Sequence, residues 1–575
     1  GNRGISEPLV FTLDTEDTPV LLTVSEEAFS PNGDGIKDRL QLVPQVKEKE
    51  GIQNYKVEII SSNDSTVKTF SGRGILPPDV SWDGFGDDGS PVEDGEYHAK
   101  LTVEYAKGNV SDAQTRKFTV DTQYPEIEAA IDYLLFSPDN DGNKDAVTIE
   151  HTASYEDFWE ARIVNSDADI VVEKLWHGTP ETLVWGGTDE AGNIVPDGDY
   201  RYEIFSEDKA GNRNQFSIEG IRIDTRQTSI FLTVDKDGFS PNGDGILDTV
   251  TFNTIVNLEE GIQEWKLELL HEEGSVEKVL TGTEAPKETF VWDGMSDTDE
   301  KREGRYTARL TVVYTKGNMP TVESQQFLLD TSPPETDIRI RPQPFSPDND
   351  GVDDELYINL GISDMSSIDE WSFIIRDPKD RWFYEFSGEG QPADRLMWDG
   401  KSEEGELVLS AEDYPWEFSI SDALGNAVTQ SGLLPVDILV IREGDKLKIR
   451  ISNINFEPNS PKLTLDDSNT GEKNQEVLQR LAEILNKYDS YRILIEGHAV
   501  SVYWYDEARA EKEQKEELLP LSKARAETVK GALVERGVDS QRITTRGLGG
   551  SEPIVPHGDL DNRWKNRRVE FILLK

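Results

Sequence analysis

Cysteine is absent from the 575 residues. That excludes disulfides, thiolate nucleophiles and cysteine-held metals, and leaves the redox compartment unreadable from thiol usage. Histidine is scarce, at 6, and the chain offers no nucleophile elbow, phosphate-cradling glycine loop or histidine pair at metal spacing. It therefore reads as a non-enzyme. No run of 18 or more apolar residues occurs, so no transmembrane helix is expected, and the lack of an apolar leader reads as a mature or trimmed N-terminus. Positive charge is also in deficit: 59 Lys and Arg face 112 Asp and Glu, a net charge of -53. Nucleic acid and anionic membranes would meet a repulsive field. Disorder is not implied, because 12 Trp, 17 Tyr and 21 Phe supply enough aromatic bulk for several small cores.

The charge is unevenly placed. Residues 441–575 carry 23 basic and 23 acidic side chains, so the entire acidic excess lies before residue 441. That stretch is repetitive. One signature occurs four times: Phe29-Ser-Pro-Asn-Gly-Asp-Gly-Ile-Lys-Asp38, Phe136-Ser-Pro-Asp-Asn-Asp-Gly-Asn-Lys-Asp145, Phe239-Ser-Pro-Asn-Gly-Asp-Gly-Ile-Leu-Asp248 and Phe345-Ser-Pro-Asp-Asn-Asp-Gly-Val-Asp-Asp354, at spacings of 107, 103 and 106 residues. A tryptophan comes 49 to 53 residues after each, at Trp82, Trp185, Trp292 and Trp398, and a tyrosine 14 to 16 residues later, at Tyr97, Tyr200, Tyr306 and Tyr414. Copies one and three share the Asn-Gly form and copies two and four the Asp-Asn form, which reads as duplication of a two-repeat unit. Within the copies, runs such as Ala99, Leu101, Val103 and Tyr105 alternate with polar residues, the period of a strand with one buried face. Gly, Asp, Asn and Pro clusters supply the turns. Each copy is expected to be an antiparallel β-sandwich with its tryptophan in the core.

These landmarks resemble bacterial immunoglobulin-like modules of the FlgD type. The resemblance implies four tandem all-β sandwiches, at 17–122, 123–226, 227–332 and 333–440, after a linker at 1–16, serving as spacers or binding surfaces. The signatures place oxygen-bearing side chains at alternate positions: Asn32, Asp34 and Asp38; Asp139, Asp141, Asn143 and Asp145; Asn242, Asp244 and Asp248; Asp348, Asp350 and Asp354. Two readings are open. A hard cation such as Ca²⁺ wants six to eight oxygens and fits such a loop; alternatively, Asn and Asp cap their own backbone in Asx turns. No cofactor is required in the second reading.

Past residue 440 the pattern changes. Val477, Leu478, Leu481, Ile484, Leu485 and Tyr488 recur at helical spacing. Arg492 to Glu496 alternates as a strand, a second helix is expected from Ser522 as N-cap to Gly537, and Arg568 to Leu574 gives a last strand. The expectation is one α+β domain over 441–575. Ile454 to Ser460, Ile495-Glu-Gly-His498, Leu521-Ser-Lys-Ala-Arg-Ala526, Gly547 to Pro553 and Asn566-Arg-Arg-Val-Glu570 resemble, in order, the landmarks of OmpA-like peptidoglycan-associating domains, with Ile454 to Ser460 in the place of the opening strand.

The resemblance implies a receptor for the diaminopimelate of a peptidoglycan stem peptide, in which an Asp meets its ammonium and an Arg its carboxylate. The Arg is Arg525, with His498 and Arg568 as further candidates at the ligand; Arg567 and Arg568 also read as partly structural. The Asp position is Val500, and the Asn that precedes Leu-Ser in the family is Leu518. An insertion, Ser501-Val-Tyr-Trp-Tyr505 and a charged run to Glu517, comes after Val500. An ammonium facing Val500 loses its counter-charge at a cost of about 1 to 3 kcal/mol or more. Arg525 is then either a carboxylate receptor helped by Asp506 or Glu507, or a structural remnant. The functional expectation is a non-enzymatic periplasmic scaffold, associated with the outer membrane of a diderm bacterium, whose partner is peptidoglycan bound weakly or not at all. The alternative is a surface adhesin whose last domain docks to other envelope proteins.

Overall fold

The computed structural model describes residues 3–466 and 468–575. Up to residue 440 it is built of strands. A three-stranded sheet faces a larger one: in the first copy Val20–Val24, Leu40–Val46 and Val80–Trp82 lie opposite a sheet centred on Gly95–Tyr105 and Ile52–Ser61. The same pairing recurs three times, and each pair of sheets encloses its own apolar core. All helices among the described residues lie beyond residue 468.

The repeated landmarks explain one another. The four tryptophans are buried, and each indole N–H donates to the carbonyl three residues on, at Phe85, Thr188, Met295 and Lys401, closing the next turn. Tyr97, Tyr200 and Tyr306 each donate from the hydroxyl to a carbonyl four residues back at 2.7 Å. Both groups are thus buried with their polar ends satisfied. The glycine two residues after each tryptophan has positive φ, and a Cβ there would come within 2.4 to 2.9 Å of the signature proline: Gly84 on Pro31, Gly187 on Pro138, Gly294 on Pro241 and Gly400 on Pro347. Only glycine fits both the conformation and the contact, so the two motifs, some 50 residues apart, are two sides of one joint.

In the last domain, strands Ile441–Glu443, Lys446–Ile451, Val569–Leu574, Arg492–His498 and Ile543–Gly549 form one sheet in that spatial order. Helices α1 (Asn469–Lys487), α2 (Glu507–Glu513) and α3 (Leu519–Glu535) belong to the same domain, and α1 and α3 contribute to its apolar core. Two local expectations fail. Residues 454–460 are not the opening strand: Pro458 offers no N–H and Asn459 turns at φ 53, so only a single bridge, Phe456 to Leu463, forms there, and Lys446–Ile451 pairs with the last strand instead. Ser522 is not an N-cap. The charged insertion is itself helical from Glu507 and joins α3 through one wider turn at Gln514–Leu518, with Asp506 as N-cap. Ser522 lies inside the helix, where its hydroxyl accepts from Gly549 N at 3.0 Å.

The last domain also touches the fourth sandwich. Arg480 pairs with Asp437 at 2.6 Å and Lys473 with Asp413 at 2.7 Å, Arg381 donates to Asn562 at 3.0 Å, and Ile438 enters the C-terminal core.

Candidate functional site

Helix α3 presses directly on the sheet because Gly497 and Gly547 face it; a Cβ on either would meet Ser522 O at 2.2 Å or Lys523 N at 2.5 Å. This fixes which way neighbouring residues point. Ile495 and Gly497 face the helices, so strand alternation puts Glu496 and His498 on the opposite face. There His498 lies 3.9 Å from Glu570, both fully enclosed. Burial, reinforced by the charge of Arg568, pushes His498 down to about 4, so it is neutral near pH 7. Burial would raise Glu570, but Arg568 at 2.6 Å, Lys448 at 2.6 Å and Arg450 at 2.9 Å outweigh it and hold the carboxyl down at about 2. Arg568 also donates to Glu552 O at 3.1 Å. His498 and Arg568 therefore belong to a buried ionic hub on the far side of the sheet, and the structure does not bring them to Arg525.

Arg525, on α3, donates from Nε to Ser460 O at 3.1 Å and lies 4.8 Å over the ring of Phe456. Burial, with the charge of exposed Arg567 next, lowers its pKa. Among the described residues neither arginine has a carboxylate at ion-pair distance. Two adjacent cations backed by an aromatic ring and lacking an acid are the makings of a receptor for a carboxylate or similar anion.

The two positions at which the chain departs from the family's pattern are apolar. Val500 and Leu518 are buried, Leu518 lying against Gly550. The two proposed substitutes are engaged or exposed: Asp506 caps α2 and pairs with Arg509 at 3.4 Å, and Glu507 is exposed in the first turn. The acid that does turn inward is Glu513, which sequence reasoning passed over inside a charged run. It is buried and accepts from Ser501 Oγ at 2.7 Å and Val502 N at 3.0 Å, holding the inserted loop to the helix. It lies 12 residues from Arg525 along an almost continuous helix, about 18 Å at 1.5 Å per residue, too far to grip an ammonium and a carboxylate borne on a single carbon. The insertion opens with exposed Tyr503, Trp504 and Tyr505.

In the four signatures the last Asp accepts from two backbone N–H groups. Asp38 takes Gly33 and Gly35, Asp145 takes Asn140 and Gly142, Asp248 takes Gly243 and Gly245, and Asp354 takes Asn349 and Gly351. Asn32, Asp139 and Asn242 each accept from the N–H two residues on, and Asp34, Asp141, Asp244 and Asp350 do the same. Asn143 contributes its backbone N–H to Asp141. These are Asx turns. They leave the trios Asp139, Asp141, Asp145 and Asp348, Asp350, Asp354 clustered, with carboxylate oxygens within 4.8 Å of one another.

The signatures also meet the next repeat, which no sequence signal disclosed. Asn32 donates to Asn212 at 3.1 Å; Asn318 donates to Asp139 at 2.5 Å and Asp141 at 3.1 Å; Ser240 and Asn242 donate to Asn426 at 2.6 and 3.2 Å. In the fourth copy Val440 N donates to Asp348 at 3.0 Å. The first three acidic loops are thus docking faces for the next module along the chain, while the fourth holds the last residue of its own module.

Residues 455–567 match the OmpA family. Among curated relatives, the chain is 30% identical over 137 residues to the probable lipoprotein YiaD of Escherichia coli (strain K12), which accounts for 24% of this chain and 55% of that protein. It is 30% identical over 149 residues to the peptidoglycan-associated lipoprotein of Buchnera aphidicola subsp. Baizongia pistaciae (strain Bp), covering 24% of this chain and 80% of that protein. The chain thus spans about half the length of YiaD. The solved tetra-tandem repeat in the extending region of a large adhesion protein aligns with 73% of this chain and 100% of its own, at 16% identity and a TM-score of 0.26. Through its C-terminal domain the chain belongs to the OmpA family, in common with the peptidoglycan-associated lipoproteins.

Proposed function

We propose that the protein is a non-enzymatic cell-envelope scaffold of the periplasm, associated with the outer membrane. Four acidic immunoglobulin-like modules of the FlgD type, at 17–122, 123–226, 227–332 and 333–440, set the reach of an OmpA-like domain, 441–575, at the peptidoglycan. The relatives' names, peptidoglycan-associated lipoprotein among them, favour this setting. The observation that supports the reading is that Arg525 and Arg567 stand without an acid partner among the described residues; Val500, which the resemblance puts in the place of the family's Asp, is buried and offers no charge. Such a pocket keeps the carboxylate half of a diaminopimelate receptor and lacks the ammonium half, so binding is weakened by about tenfold or more, at 1.4 kcal/mol per decade. The exposed Tyr503, Trp504 and Tyr505 favour a second reading, in which the domain docks to another envelope protein. Co-sedimentation of the whole chain with purified sacculi separates the two: weak retention that falls further in Arg525→Ala supports the first, whereas retention indifferent to Arg525 refutes it.

A further inference from the structure

The joints between repeats alternate in chemistry. Each repeat carries a five-residue hairpin ending in Gly-Asn that meets the segment before it: Tyr105-Ala-Lys-Gly-Asn109, Asp208-Lys-Ala-Gly-Asn212, Tyr314-Thr-Lys-Gly-Asn318 and Asp422-Ala-Leu-Gly-Asn426. Copies one and three carry Tyr first and Lys third; copies two and four carry Asp first and an apolar residue third. The lysines have a defined place. Lys316, 3% exposed, donates to Asp224 O at 3.2 Å, to Asp224 Oδ1 at 3.4 Å and to the carbonyl of Arg226. Lys107 donates to Asp14 Oδ2 at 2.9 Å and Glu16 O at 2.8 Å, the same i and i+2 pattern. In both joints an ammonium neutralises the aspartate that ends the preceding segment.

At the joint entering copy four that ammonium is missing and an acid has been added. The terminal aspartate is Asp330, 0% exposed, and its Oδ2 has no hydrogen-bond partner among the described residues. Asp364 Oδ2 is likewise buried and unpartnered. Asp422, the hairpin residue that replaces Tyr314, joins them, and the three residues bring carboxylate oxygens within 4.8 Å of one another. Oxygens sharing one Ca²⁺ at about 2.4 Å each lie up to about 4.8 Å apart. Asp330 Oδ1 accepts from Ser332 N and Asp422 accepts from Leu424 N, Asn426 N and Asn426 Nδ2, so two of the three acids are already oriented by their surroundings. A cluster of three carboxylates, two enclosed and one half-buried, with orphaned oxygens is costly unless a cation or a proton compensates it.

We propose that a Ca²⁺ ion is held at the joint between the third and fourth sandwiches by Asp330, Asp364 and Asp422, in the role that Lys316 plays one joint earlier. By position, the carbonyl of Ser332, equivalent to that of Arg226, is a fourth ligand. The joint entering copy two carries the same exchange, with Asp121, Asp208 and nearby Glu156 in place of the lysine chemistry. The site is separate from the exposed signature trios and independent of any peptidoglycan binding. Burial, and then the charge of Asp364, pushes Asp330 up to about 6, as expected for a cluster short of positive charge.

The test is CaCl₂ titration of the whole chain, stripped with chelator, by calorimetry and thermal melting. Bound Ca²⁺ is expected, with a melting rise of at least about 5 °C for the fourth sandwich at a hundredfold excess over Kd. Asp330→Asn is expected to remove one bound ion per chain, whereas Asp350→Asn in the exposed trio leaves that ion in place. The double variant Asp422→Tyr with Leu424→Lys rebuilds the lysine joint of copy three; it is expected to lose the same ion while melting, without Ca²⁺, at least as high as the native chain. The proposal is overturned if the native chain binds no Ca²⁺, which would leave a shared proton as the compensating charge, or if the ion count is unchanged in both Asp330→Asn and the double variant.

Discussion

Asn318 offers the cleanest perturbation of a joint, because its side chain bonds only to the preceding repeat. Its Nδ2 donates to Asp139 at 2.5 Å and Asp141 at 3.1 Å, and the residue is 5% exposed. A hydrogen bond to a charged group contributes about 1.5 to 3 kcal/mol. Both aspartates are exposed, so solvent screening favours the low end, and the pair together is assigned about 2 kcal/mol. Lys316 and Lys144, which reaches Thr315 O at 2.8 Å, remain in Asn318→Ala. The joint should therefore stay formed most of the time, with the population of opened joints raised about thirtyfold, since 1.4 kcal/mol is a factor of ten. The absence of cysteine makes the assay simple: Leu175→Cys on one repeat and Val291→Cys on the next, both exposed positions, take spin labels without background. The native joint should give one narrow distance distribution and Asn318→Ala a broadened one, with the melting of the sandwiches unchanged because no core residue is touched. An unchanged distribution would refute the docking role assigned to the signature loops.

Two further outcomes concern the C-terminal half. Burial pushes Glu412 up to about 7, with Asp413 adding to the rise and Lys473 and Lys379 opposing it. The folded state thus holds a proton that the unfolded state releases near 4.5. The stabilisation is complete below pH 4.5 and is lost as pH rises through 7, about 3 kcal/mol in all at 1.36 kcal/mol per unit. Urea unfolding at pH 4 and pH 8 should show Glu412→Gln more stable than the native chain at pH 8 and level with it at pH 4. For the ionic hub, Glu570→Gln strands Arg568 and leaves Lys448 and Arg450 without their buried acid, so the last domain should lose about 3 to 5 kcal/mol, read as an earlier unfolding of that domain alone.

The sandwiches and the C-terminal domain are legible in the sequence because their signals are local: a period of two in Ala99 to Tyr105, tryptophan and tyrosine at fixed offsets, and an apolar helical stripe from Val477 to Leu485. What escapes is set by contacts between distant residues. Asn318 and Asp141 lie 177 positions apart, and nothing within a five-residue Gly-Asn hairpin says that its Asn leaves the repeat. The run Asp506 to Glu517 reads as a solvated charged loop because periodicity in charge is not periodicity in burial; the single inward acid, Glu513, cannot be told from its neighbours without the helix. His498 and Arg568 resemble ligand residues by motif, but Gly497 is what decides their side of the sheet, through its contact with Ser522.

That the pocket keeps a carboxylate receptor and lacks an ammonium receptor is tested most directly by calorimetric titration with a purified diaminopimelate-containing muropeptide. The native chain, Val500→Asp and Arg525→Ala are compared. The expected result is weak binding by the native chain, a loss of that binding in Arg525→Ala and an affinity raised about tenfold in Val500→Asp. Tight binding by the native chain that Arg525→Ala abolishes and Val500→Asp leaves unimproved would contradict it, because the inserted segment would then have to supply the acid that Val500 replaces.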